Sequence, residues 1–213
     1  MTHFLIKPSL SQGRIFSGRV FLFLIMAMAP MVSACSPLGM ATGAGAATGV
    51  AAAREGGIKG SLSDIRINAD ISDRWFKYDV NTFSKLNITV NNGRVLLTGV
   101  VQEPKHRVEA VRLAWQPESV KQVINEIRIA DSEGISGYIQ DTWITAKLRT
   151  AMTFDKQVQS INYSIDTVQN IVYLMGAAHS EAERNRVKAL ARGVSGVRQV
   201  VSYIKLLEPA EGK

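Results

Sequence analysis

Apolar positions along residues 61–207 recur with two alternating periods. Ile67 and Ile71 stand four apart, as do Ile144 and Leu148, the spacing that lines one face of a helix. Leu86, Ile88 and Val90 then alternate with polar residues, Asn92-Gly93 offers the backbone freedom of a tight hairpin turn, and residues 95–101 read as the returning strand. A charged helical stretch follows (103–114 and again 180–192), then a β-rich run (120–129 and 197–207). The predicted order, helix-strand-strand-helix-strand, occurs twice and implies an α+β fold in which each three-stranded sheet is covered by two helices.

The two occurrences are copies. A gap-free shift of 77 residues pairs Asp64 with Asp141, Ile67 with Ile144, Val95 with Val172, Leu97 with Leu174, Gly99 with Gly176, Val123 with Val200 and Ile127 with Ile204. One constant offset across both units is the mark of a duplication, and two repeats are too few for a solenoid. The expected division is a first domain at 61–130, a linker at 131–137, a second domain at 138–207 and a tail at 208–213. Ser61 followed by Asp64 has the spacing of a capping box, so the matched acids Asp64 and Asp141 are expected to serve the free N–H groups and positive dipole end at helix starts.

The N-terminus has a different texture. Lys7, Arg14 and Arg19 precede an apolar run at 20–31 and the small residues Ser33 and Ala34, the charged, apolar, small-residue order of a secretory signal. The run is shorter than the roughly 20 residues needed to cross hydrocarbon. Val32-Ser33-Ala34-Cys35 resembles the lipobox of bacterial lipoproteins, with Val32 where Leu is preferred. That resemblance implies a signal peptide at 1–34, acylation of Cys35, and, with Ser36 following, sorting to the outer membrane on its periplasmic side. Residues 35–60 are rich in Gly and Ala and read as a flexible tether. Their small residues at 39, 43, 45 and 49 also fit helix packing within a bilayer.

Charge and chemistry-bearing residues narrow the function. The formal charge is +7, and loss of residues 1–34 removes three cations and leaves +4, too mild for the basic surface that binds nucleic acid. Cys35 is the one cysteine, so neither an internal disulfide nor a thiolate metal cage can form. His106 and His179 do not match under the repeat and lack metal-ligand spacing, and no nucleophile-base signature or phosphate-binding glycine loop is present. No catalytic residue, metal or cofactor is expected.

The element order, together with Asp141-Thr142-Trp143-Ile144-Thr145, Tyr173-Leu174-Met175-Gly176 and Asn125-Glu126-Ile127-Arg128, resembles the BON domain of bacterial periplasmic and outer-membrane proteins. Gln116 and Ser119 depart from the pattern that Gly193 and Gly196 keep in the second copy, which puts the turn before the third strand of the first copy in question. The resemblance implies that the first helix of the second domain, residues 138–152, binds anionic phospholipid such as phosphatidylglycerol through Trp143, in support of outer-membrane integrity. Ile139, Ala146 and Thr150 project near Trp143, with Lys147 beside them, while Ile144, Leu148 and Ala151 are expected to rest on the sheet. From the residue alone, Trp143 fits two environments, a lipid boundary or packing against the other domain. The first copy carries Arg66 and Asp70 where the second has Trp143 and Lys147. The second class of function is a periplasmic adaptor for envelope proteins or outer-membrane assembly machinery.

Overall fold

The computed structural model describes residues 57–131 and 134–207; the signal, Cys35, most of the tether and the tail lie outside the described residues. The first unit contains α1 (Gly57–Phe83), β1 (Leu86–Asn91), β2 (Arg94–Val101), α2 (Pro104–Ala114) and β3 (Gln122–Ile129). The second contains α3 (Gly134–Phe154), β4 (Tyr163–Val168), β5 (Ile171–Ala178), α4 (Glu181–Gly193) and β6 (Gln199–Leu206), with a short 3₁₀ turn ahead of β4. Each sheet is antiparallel between its first two strands and parallel between its second and third, with α2 or α4 as the crossover. No described helix is long and apolar enough to cross a membrane.

Both first helices begin earlier than their sequence suggests. α1 starts at Gly57, inside the stretch read as tether, and α3 at Gly134, inside the stretch read as linker. Glycine weakens a helix by about 1 kcal/mol without barring it, and neither start contains a proline. Ser61 therefore lies within a helix already under way rather than capping one. The matched acids do other work. Asp64 accepts the N–H groups of Asn92 and Gly93 at 2.8 and 2.9 Å, and Asp141 those of Gln169 and Asn170 at 2.8 Å each. These are the hairpin residues with positive φ: Asn92 at 53°, Gly93 at 77°, Gln169 at 51° and Asn170 at 62°. A turn of that kind aims two adjacent N–H groups outward, and a carboxylate from the first helix pins them in a charge-assisted clamp.

The glycines shared by the copies permit close strand approach. Gly99 and Gly176 have φ of +119° and +152°, and a Cβ there would lie 2.5 Å from the Lys85 carbonyl oxygen or 2.2 Å from that of Asn162. The questioned turn before β3 is kept. Val120 N–H donates to the Pro117 carbonyl, as Val197 N–H does to that of Val194, so a proline-containing turn replaces a glycine-containing one. α4 is capped by Ser180, which accepts the Glu183 N–H, while the Glu183 carboxylate reaches past the cap to accept the N–H groups of Gln159 and His179. Burial opposes ionisation of Glu183, yet the backbone donors of Gln159 and His179 help to outweigh it and hold the carboxyl below its usual range.

Side chains on alternate positions of the central strands serve different cores. Val95, Leu97 and Val101 face α1 and α2 together with Ile67, Ile71 and Trp75, and Val172, Leu174 and Ala178 face α3 and α4 with Ile144, Leu148 and Met152. The intervening residues form a third cluster, Leu96 and Ile124 from one sheet with Val168, Tyr173 and Met175 from the other. The two sheets thus pack through the faces turned away from their helices. Leu96 and Tyr173 are equivalent under the 77-residue shift, and Glu126 and Tyr203, also equivalent, hydrogen bond to each other. β1 meets β5 as β2 meets β4. The contact is therefore an isologous interface about a pseudo-twofold axis, formed within one chain.

A carboxylate sits in this interface. Asp166 of β4 accepts hydrogen bonds from Thr98 and, at 3.3 Å, from the Asn87 amide of the other sheet. Burial raises its pKa, and Asp141 adds to the rise, against the opposing donors Thr98, Asn87 and the Thr167 N–H. A carboxyl with its folded pKa above the unfolded value binds its proton more tightly when folded, so its favourable contribution is complete in acid and is lost as the pH climbs through the raised pKa. Relative to wild type, Asp166→Asn should gain stability progressively as the pH rises above the ordinary value of 3.8. Denaturant melts at a series of pH values read this directly, and a difference that stays flat or moves the other way refutes it.

Candidate membrane-facing site

α3 is the element that carries Trp143, and its buried edge fixes what its other faces present. Ile144, Leu148 and Met152 are at most 1% exposed and seat the helix on its sheet. Met152, not Ala151, completes that edge, because it continues the four-residue step from Ile144 through Leu148 while Ala151 is only half-buried. On the outward face Ile139 is 61% exposed and Trp143 43%, with Ala146, Lys147 and Thr150 also exposed. All five residues picked from the sequence thus lie on one exposed face, and Trp143 is not sealed against the first domain.

The face extends further than the sequence reading took it. Phe154 is 81% exposed, and at roughly 100° per residue it projects about 20° from Trp143, closing a stripe of Ile139, Trp143, Thr150 and Phe154. Carrying the helical projection one turn past Thr150 would have found it. The Lys147 ammonium lies 5.4 Å from the Trp143 ring centroid, a cation-π geometry worth about 0.5–1 kcal/mol at an exposed site. The Thr150 hydroxyl donates to the Ala146 carbonyl at 2.9 Å, so its proton is satisfied within the helix and its methyl adds apolar surface. The result is an apolar stripe with one cation held against its indole.

The opposite flank of α3 is polar. Tyr138, Asp141, Thr145 and Arg149 face Lys85 and Asp166 across a cleft of about 680 Å³. The Thr145 and Thr167 hydroxyls hydrogen bond at 2.7 Å, tying α3 to β4. Among the described residues no group of three or more His, Cys, Asp or Glu is placed to hold a metal ion. Cys35 lies outside the described residues.

Comparison with known proteins places this geometry in a family. The chain is 40% identical over 146 residues to an uncharacterized protein in the gshII 5' region of Anaplasma centrale, covering 68% of this chain and 95% of that one. It is 25% identical over 146 residues to osmotically-inducible protein Y of Escherichia coli (strain K12), covering 68% and 73%. It is 27% identical over 124 residues to the outer membrane lipoprotein DolP of Haemophilus influenzae, covering 58% and 64%. The BON domain profile matches twice, at residues 63–131 and 140–208, each match spanning one helix-strand-strand-helix-strand unit. The chain therefore belongs to the BON-domain family, as a tandem pair of BON domains.

Proposed function

We propose that this is a lipid-anchored envelope protein, acylated at Cys35 in the outer membrane and facing the periplasm, whose second BON domain docks on anionic phospholipid through α3. The observation that carries the reading is the exposed stripe of Ile139, Trp143, Ala146, Thr150 and Phe154 with Lys147 against the indole. An indole at a water-lipid boundary buries its rings while its N–H stays hydrated, and a nearby lysine adds about 1 kcal/mol on an anionic surface. Several acyl chains, at about 0.8 kcal/mol per buried methylene, hold the protein stably at a bilayer, where a surface helix can then engage the headgroups. A relative named as an outer membrane lipoprotein supports the location. In this role the protein supports outer-membrane integrity by position rather than by catalysis.

Flotation with phosphatidylglycerol vesicles tests the site, using a form without residues 1–35 so that acylation does not contribute. Trp143→Ala should lower partitioning about tenfold, equivalent to about 1.4 kcal/mol, and phosphatidylcholine vesicles should bind poorly. Undiminished flotation of the variant would rule out α3 as the lipid contact. No flotation of either form would favour the adaptor reading, in which the paired domains bind envelope proteins or assembly machinery.

A further inference from the structure

A second cleft, of about 690 Å³, lies where the two domains meet, and it shares no lining residue with the α3 cleft. It brings together Arg94 at the start of β2, Lys121 just before β3 and Lys205 in β6, around Gln122 and the C-terminal ends of β5 and β6. Among the described residues that line it none is acidic. Three cations thus converge from two domains, with no carboxylate among the described residues of the cavity.

Arg94 is the most constrained of them. It is only 9% exposed, and burial pushes its guanidinium pKa down. Its hydrogen bonds go to neutral acceptors, from Nε to the Gln122 amide oxygen at 3.0 Å and from Nη1 to the Tyr203 carbonyl at 3.1 Å. A buried guanidinium held by neutral dipoles alone is undercompensated, and a planar, multidentate donor of this kind matches phosphate oxygens. Lys121 and Lys205 are exposed and supply flexible point charges at the rim. Lys121 is fixed at its backbone, since its N–H donates to the Gly93 carbonyl at 2.8 Å, so the hairpin turn of the first domain sets where that rim cation sits.

We infer that this interdomain cleft is an anion-binding site for a phosphate group, with Arg94 as the buried anchor and Lys121 and Lys205 as rim contacts. The cleft has room for a phosphate carried on a larger molecule, and two sources share that chemistry, a phospholipid headgroup or a soluble phosphorylated compound. The site requires both domains in their packed arrangement, because Arg94 and Lys121 come from one and Lys205 from the other. It is separate from the stripe on α3 and stands whether or not that stripe contacts lipid.

The full-length chain in a nonionic detergent can be titrated with inorganic pyrophosphate and, separately, with short-chain phosphatidylglycerol, the heat being read calorimetrically. Saturable binding of either is expected, weakened about tenfold or more in Lys121→Gln/Lys205→Gln, whose two changes are at exposed positions, and steeply weakened by salt. Pyrophosphate binding retained in Trp143→Ala separates this cleft from α3. Response to pyrophosphate alone identifies a soluble phosphorylated ligand, and response to phosphatidylglycerol alone, lost in the lysine variant, identifies a headgroup. Absence of heat with both probes, or wild-type affinity in the lysine variant, overturns the assignment. Phosphatidylglycerol heat lost in Trp143→Ala but kept in the lysine variant belongs to α3 and likewise counts against it.

Discussion

Gly176→Ala should unfold the second BON domain at temperatures the wild-type chain survives, with a loss of about 3–5 kcal/mol. Two costs coincide at this position. A φ of +152° is a backbone conformation that residues with a side chain rarely adopt, and the new Cβ would lie 2.2 Å from the Asn162 carbonyl oxygen. Asn162 cannot move aside cheaply: it is 4% exposed and is the last residue of the 3₁₀ turn, bonded directly to the first residue of β4, Tyr163, which pairs in register with Gly176. In a domain of this size the melting temperature should fall by roughly 10 °C or more. Gly193→Ala is the matched control, because a Cβ there meets nothing within 4 Å. Thermal denaturation followed by circular dichroism compares them, and equal melting temperatures would show that β4 and β5 do not approach so closely.

Leu96→Asp should uncouple the two domains while leaving each one folded. Leu96 is 1% exposed and belongs to the cluster shared by the sheets, not to the core beneath α1 and α2, which its neighbours Val95 and Leu97 fill. A carboxylate placed among Tyr173, Met175 and Val168 would be buried in an apolar cluster, at a cost of several kcal/mol. Parting the sheets returns it to water at the expense of one apolar contact, whereas unfolding the domain forfeits the whole helix-covered core. The wild-type chain should melt in a single calorimetric transition. The variant should show two transitions and a larger hydrodynamic radius. One unchanged transition would mean that the domains do not depend on this cluster. Val95→Asp, directed into the helix-covered core, should instead abolish folding of the first domain.

The fold was legible because each element rests on local chemistry. Asn92-Gly93 declares its turn, Leu86, Ile88 and Val90 declare an exposed-edge strand, and a constant offset ties the second copy to the first. The packing of the sheets was hidden for a related reason. Residues 94–101 and 171–178 are apolar at almost every position, which signals a strand buried on both faces but not what covers the second one. The roles of Asp64 and Asp141 were hidden because their partners lie 28 and 29 residues away, while helix-start chemistry is satisfied within a turn. At the candidate site, Trp143 and its neighbours follow from helical projection, and Phe154 was missed only where that projection stopped. The cationic cleft could not be read at all, since Arg94, Lys121 and Lys205 lie on no common helix and Lys205 comes from the other copy.

The hydrogen bond between Glu126 and Tyr203 bears on why both copies reside in one polypeptide. Two separate but identical chains meeting about the same axis would set like against like there, either two carboxylates in mutual repulsion or two phenols with no anionic acceptor. Covalent linkage lifts that restriction, so an acid can stand opposite a hydroxyl and one helix can carry an indole where its twin carries Arg66. Gene duplication here supplied bulk, and also the freedom for the two halves of a symmetric contact to become chemically unlike.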